Sequence, residues 1–226
     1  MKNKLLATLL MGVSIISVGC QKEDIGSGEK IEQLTQKPIV TEQNKEGKED
    51  ELSKDNSSAK EIKVSAGTFE VGVDVPVGRY VCTGSGNGNL SIYDGELQIV
   101  DEMIDSTNEV GVASVTIDLY EGQKIEVSGL DELVLTPAKT LVRTSLTTGN
   151  WIVGLDIQPG RYIVEPVLEG LLKGKGSLLV YDNEIPVVNE YLDASGEIGV
   201  KLAIIELKDG QTISISGVPE VKFTVE

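Results

Sequence analysis

The sequence contains no histidine. That absence excludes Ser-His-Asp and Cys-His nucleophile pairs, HExxH zinc sites and every metal triad that includes an imidazole. Aromatic residues are scarce, with one Trp and two Phe in 226 residues, so platforms for stacking sugar rings are missing. Positive charge is also short. Twenty Lys and Arg face 36 Asp and Glu, giving a net charge of −16. Such a chain repels nucleic-acid phosphates and anionic lipid headgroups, which excludes nucleic acid as a partner. The acidity itself serves solubility, with cationic partners as the other reading. No apolar run approaches the roughly 20 residues needed to span a bilayer as a helix. Neither a metal nor a cofactor is expected.

What is present begins with "MKNKLLATLLMGVSIISVGC". Lys2 and Lys4 form a short basic region and Leu5 to Val18 an apolar one, the layout of an export signal over residues 1–19. Ser17-Val18-Gly19-Cys20 resembles a bacterial lipobox, with Ser17 where that family usually carries Leu. The resemblance implies that Cys20 is the lipid anchor, bearing a diacylglyceryl group and palmitate as the first mature residue. Two acyl chains anchor stably, at about 0.8 kcal/mol per buried methylene. The expected location is therefore the extracytoplasmic face of a cell membrane. Lipidation of Cys20 leaves Cys82 without a partner, which excludes a disulfide framework.

Residues 20–62 are rich in Lys, Glu, Gln, Ser and Asn and cannot bury enough apolar surface to offset their ordering entropy. They are expected to be a disordered tether of roughly 35 Å r.m.s. span. Beyond Lys63 the texture changes to short Val/Ile/Leu runs punctuated by Gly, Asp, Asn and Pro, and the sequence repeats. "GTFEVGVDVPVGRY" (67–80) returns as "GNWIVGLDIQPGRY" (149–162), and "GNLSIYDGELQIVDEMID" (88–105) as "GSLLVYDNEIPVVNEYLD" (176–193). "EVGVASVTIDLYEGQKIEVSGLDELVLT" (109–136) pairs likewise with residues 197–224. The register shifts once, at extra residues around 167–172, "VLEGLL".

The organisation expected is an all-β protein: two tandem antiparallel β-sandwich or small-barrel domains, copy 1 at 63–138 and copy 2 at 149–226, joined by a linker at 139–148. Each copy should hold six or seven short strands. Alternation places Val115, Ile117 and Leu119 on one face, Ser114, Thr116 and Asp118 on the other. Only "IVDEMID" and "VVNEYLD" suit a helical turn. Domains of this size have thin cores, so docking of the copies would add stability. Ser91, Ser114 and Thr116 on the outer face become Leu179, Leu202 and Ile204 in copy 2. That apolar face is expected to be covered, by the insertion or by copy 1. The alternative is an exposed patch for a partner.

The candidate ligand site is the repeated quartet Asp74, Arg79, Asp156 and Arg161. Pro76 leads Gly78 by two residues, which suits a type I turn, whereas Pro159 directly precedes Gly160, which suits type II. Pro moves while Gly stays, so backbone freedom at Gly78 and Gly160, with positive φ, is the expected requirement. Asp74 and Asp156 can accept backbone N–H bonds at the turn. Tyr80 and Cys82 lead inward, making Cys82 a buried apolar thiol. Arg79 and Arg161 then point outward, towards Asp74 and Asp156. Turn structure is the competing role for all four. Asp94, Asp101 and Asp105, mirrored by Asp182, Asn189 and Asp193, lack the D-x-D-x-D-G spacing of a calcium loop and read as solvated turn residues. "GSGNGN" (84–89) lacks the Lys-Ser/Thr and helix of a phosphate loop and reads as a hairpin loop. Trp151 and its counterpart Phe69 read as core anchors.

The repeated "VG-x-D-[VI]-x-x-G-R-Y", with "L-x-[IV]-Y-D" and a late "GQ-x-I-x-[VI]-SG", resembles a small all-β domain of Gram-positive lipoproteins and surface proteins over residues 67–226. The resemblance implies location and fold class and brings no catalytic residues. Two classes of function follow. One is a non-enzymatic surface module that binds a protein, a peptide or a cell-wall component. The other is a secreted-side hydrolase or a solute-binding receptor. Missing histidine and close repetition favour the first.

Overall fold

The computed structural model describes residues 54–168 and 174–226. The expected signal peptide, Cys20, the tether up to residue 53 and residues 169–173 of the insertion lie outside the described residues. Among the described residues there is no helix, hence none long and apolar enough to cross a membrane. The protein is all-β. Copy 1 supplies β1 (Ile62–Val64), β2 (Gly67–Glu70), β3 (Gly78–Asp94), β4 (Leu97–Asp105), β5 (Ser114–Leu119) and β6 (Lys124–Pro137). Copy 2 supplies β7 (Ser145–Ile152), β8 (Gly160–Pro166), β9 (Lys175–Asp182), β10 (Ile185–Asp193), β11 (Ala203–Leu207) and β12 (Thr212–Val225).

The order β1-β6-β3-β5-β7-β12-β8-β11 runs through both copies, with β2 beside β6, β4 beside β3, and β9 between β10 and β12. The copies therefore form one continuous mixed sheet. The link is a single parallel contact between β5 and β7, Thr116 opposite Gly149, while every other strand pairing is antiparallel. Each copy keeps its own apolar cluster. Val115, Ile117 and Leu119 of β5 point into the first with Tyr80, Cys82, Ile125 and Leu135, as alternation requires. Tyr162, Val180, Ile213 and Phe223 build the second, where the Tyr162 and Phe223 rings meet edge to face at 6.0 Å.

Several strands are longer than the sequence suggests, because they bend rather than stop. "GSGNGN" is the bulged middle of β3, not a hairpin loop, with its ladder shifting at Ser85/Gly86 and Gly86/Asn89. There β3 crosses β6 so closely that a Cβ on Gly88 would lie 2.3 Å from the Ser128 carbonyl oxygen, and one on Gly176 equally close to Ser216. This crossing explains the repeated "SG" of β6 and β12. In copy 2 the counterpart of β3 is divided into β8 and β9, which flank the insertion in sequence. "IVDEMID" and "VVNEYLD" are the strands β4 and β10.

The ordered fold also begins before Lys63. Asn56 donates to the carbonyls of Arg79 and Ala138 and accepts from the Arg79 N–H, Ala59 packs on the core, and Lys54 pairs with Asp118 at 2.7 Å. Residues 54–62 thus belong to the sheet assembly rather than to a tether.

Candidate functional site

The sequence motif that suggested a site makes its reversal earlier than expected. The Glu70 carbonyl accepts from the N–H groups of Val73, Asp74 and Val75, and Gly72 turns the chain at φ 95°. Its counterpart Gly154 does the same at φ 93°. These are the left-handed positions. Gly78 and Gly160, which open β3 and β8 rather than make the reversal, also hold the expected positive φ, 155° and 159°. Asp74 accepts the Glu70 N–H at 2.9 Å, and Asp156 the Ile152 N–H at 2.9 Å, so both aspartates cap the turn. The Tyr80 and Tyr162 hydroxyls donate to the carbonyls of Pro76 and Gln158, tying each turn to the next strand.

The arginines do not pair within their own copies. Arg79 leaves the first residues of β3, crosses the β5–β7 contact and donates through Nη2 to Asp156 Oδ2 at 2.9 Å and to the Asn150 carbonyl at 3.1 Å. The pair is buried, Arg79 being 2% and Asp156 0% exposed. The Arg79 guanidinium lies 5.3 Å from the centroid of the Trp151 ring, and its buried Nε and Nη1 have no hydrogen-bond partners. Arg143 brings a second guanidinium 5.5 Å from the centroid of the same ring, with Nη1 3.7 Å from Asp156 Oδ1. Glu102 of β4 completes the joint by accepting the Gly217 N–H at 3.2 Å. Burial pushes its carboxyl up, against the lowering effect of Ser216 and Gly217.

The quartet is therefore divided. Arg79 and Asp156 meet across the copies. Arg161 is exposed and pairs with Glu226, and Asp74 is exposed at the turn it caps. The expectation of outward arginines aimed at their own aspartates is corrected. The sheet carries Arg79 beyond its own copy to a carboxylate that sequence distance hides. Trp151 is a core anchor of copy 2, as expected, and also lies beside both guanidiniums; its Nε1–H donates to the Thr147 carbonyl.

Other repeated residues have structural employment that composition did not reveal. Asp105 is buried rather than solvated and accepts from the N–H groups of Thr107, Glu109 and Val110 and from the Thr107 hydroxyl. The Val110 and Thr107 bonds hold its carboxyl down to about 2. Burial pushes Asp193 up, but bonds from Ser195 and Ile198, with Lys175 nearby, hold it well below the usual carboxylate range. Gln123 and Gln211, the "GQ" of the late motif, are buried and accept the N–H groups of Tyr120 and Lys208, each at 2.9 Å. Burial pushes the Cys82 thiol up to about 12, so it stays a neutral apolar side chain. No group of three or more metal-ligating side chains occurs among the described residues.

Two troughs run between corresponding strands. In copy 1 the trough between β4 and β5 is roofed by copy 2, so that Ile99, Ile117 and Asp118 line a recess with Asn150, Trp151 and Ser214. In copy 2 the trough between β10 and β11 is open, about 430 Å³, with Val187, Val188, Glu190, Ile204 and Glu206 on its walls. Among the described residues, strand β11 pairs with β8 on one side only. Leu202 and Ile204 stand 48% and 49% exposed there and Leu179 is half-buried, so the apolar outer face stays partly open at β11. A further recess, about 700 Å³, lies among the turn residues Asn183, Glu184 and Gly210. No protein-family model, curated protein or solved structure matches this chain.

Proposed function

We propose that this chain is a lipid-anchored, extracytoplasmic binding protein without enzymatic activity. In this reading Cys20 bears the lipid, the following residues hold the fold away from the membrane, and the sheet consists of two tandem β-sandwich domains fastened by Arg79 and Asp156. The ligand is a polypeptide that lies along β11 and into the neighbouring trough. The observation that carries the reading is the one-sided edge of β11, with Leu202 and Ile204 exposed over an open trough of about 430 Å³. Unpaired strand edges with apolar side chains take up further strands unless they are blunted. The structural roles of Asp74, Arg79 and Asp156 support a non-catalytic account of the motif.

A photoreactive side chain at position 204 of the full chain, activated on intact cells, should form adducts with a polypeptide. The same group at the exposed Glu109 should not. Equal labelling from both positions would overturn the reading. Cys20→Ala should release the protein into the medium, and continued membrane retention would refute the anchor.

A further inference from the structure

We propose that the polypeptide taken up by β11 is a second copy of this chain, which repeats between molecules the joint that fastens copy 1 to copy 2. The proposal rests on the reading of the β11 trough as a polypeptide site. Its basis is the repeat itself. Counterparts are offset by 82 residues before the insertion (Gly67 to Gly149) and by 88 after it (Gly88 to Gly176). In the internal joint, copy 1 contributes one half, made of Arg79, Glu102 and Thr116. Copy 2 contributes the other, made of Gly149, Trp151, Asp156 and Gly217. Each copy also carries the half that it does not use there.

The unused halves are chemically complementary. Copy 2 offers Arg161, Glu190 and Ile204, the counterparts of Arg79, Glu102 and Thr116. Copy 1 offers Gly67, Phe69, Asp74 and Gly129, the counterparts of Gly149, Trp151, Asp156 and Gly217. Head-to-tail contact sets Arg161 against Asp74 and over the Phe69 ring, and Glu190 against the Gly129 N–H. Ile204 then meets Gly67, which, like Gly149, presents no Cβ to the incoming strand.

Exposure follows the same logic. Thr116 is 3% exposed, whereas Ile204 is half exposed; Asp156 is fully buried, whereas Asp74 is exposed. The open trough between β10 and β11 is the counterpart of the one that copy 2 roofs in copy 1. It would receive β2 and β6 of the next molecule. The contact uses different surfaces on its two sides, so it propagates as an open chain unless its rotation closes a ring.

Three differences make the contact between molecules weaker than the internal one. Phe69 replaces Trp151, Glu61 stands where Arg143 supplies its second guanidinium, and Glu226 must release Arg161. The internal joint is further favoured by its linker, which holds the copies at an effective concentration of order mM.

The test uses the full chain purified in detergent, with the photoreactive group at position 204. Wild-type protein should give a ladder of chain-to-chain adducts, the attachment points mapping to 67–70 and 124–129. Arg161→Asp alone and Asp74→Arg alone should each reduce the ladder at least about tenfold, by opposing like charges. Mixing those two variants should restore it, because every joint in an alternating chain then joins opposite charges. Arg161 has no part in a turn, so that variant reads the contact even if Asp74→Arg loosens its own loop. A ladder indifferent to both charges would overturn the proposal. So would protein that stays free of self-adducts at every concentration. If on intact cells position 204 then labels a different polypeptide, the trough remains a polypeptide site and only self-association fails. If it labels nothing, both fail.

Discussion

Copy 1 and copy 2 carry the same Asp and Arg at the same corner, yet the two copies use them differently. Arg79 and Asp156 form a desolvated pair across the joint, whereas Arg161 rests on the surface against Glu226 and Asp74 caps a turn in water. The difference lies in position along the chain. A tandem repeat of two has one joint and two unused ends, so identical residues sit in a dry interface at one place and in solvent at the other. Like a terminal unit of a solenoid, each end keeps the complementary features of a unit that has a neighbour.

The largest break in this comparison is expected at the joint. Arg79→Met leaves Asp156 buried without its close partner and should lower unfolding stability by about 3–5 kcal/mol. Arg161→Met, at an exposed pair, should cost less than about 1 kcal/mol. Denaturant unfolding of both variants measures the contrast. Equal losses would mean that the Arg79 pair does not join the copies. Next in size is glycine. A Cβ on Gly149 would lie 2.1 Å from the Thr116 carbonyl oxygen, where φ is already 138°. Gly149→Ala must therefore push β5 from β7, at about 1–3 kcal/mol. Gly67→Ala meets only the edge of the Phe69 ring at 3.2 Å and should change stability by less than about 0.5 kcal/mol.

Much of this architecture is legible in the sequence. Alternation in β5 identifies its inward residues, the internal repeat marks out two copies, and Tyr80 and Cys82 lead inward as read. The pairing of Arg79 with Asp156 is not legible, because 77 residues separate them and nothing local distinguishes Arg79 from Arg161. The long strands escape for a related reason. Gly-rich "GSGNGN" is compatible with a hairpin, and only the close crossing of β3 over β6 shows that the glycines permit a bend. Asp105 and Asp193 could have been recognised. Each is followed two residues later by Thr or Ser, the pattern of a side chain capping its own loop.

These capping carboxylates give the comparison a pH axis. Asp105 is held down to about 2 in the fold and titrates near 4 in an unfolded chain. Between those values the unfolded state binds more protons, so stability rises with pH. The contribution is complete above about pH 4 and is lost as pH falls through about 2. Asp105→Asn should remove this acid limb from urea midpoints measured down the series. Asp193 is likewise held below the usual carboxylate range, with Lys175 beside it, so its contribution has the same sign and is also lost in acid. Glu102 runs the other way. Burial raises its carboxyl in the fold, so the folded state holds its proton longer and stability falls as pH rises through the carboxylate range. Glu102→Gln should remove that decline at the joint.

The smallest expected effect is also the sharpest test of how copy 2 differs from copy 1. Leu202 and Ile204 are apolar where copy 1 has Ser114 and Thr116, and they are half exposed. Leu202→Ser with Ile204→Ser should therefore leave thermal unfolding nearly unchanged, within about 0.5 kcal/mol per site, because half-exposed side chains lose little burial on removal. A fall of several degrees would mean that this face is covered within the chain. Unchanged stability with loss of adducts from a photoreactive group at neighbouring Glu206 would mean that the apolar side chains serve a contact between chains. A face that costs the fold nothing to change, and whose counterpart Thr116 in copy 1 is buried opposite Gly149 of the next unit, is what an unused end of a repeat predicts.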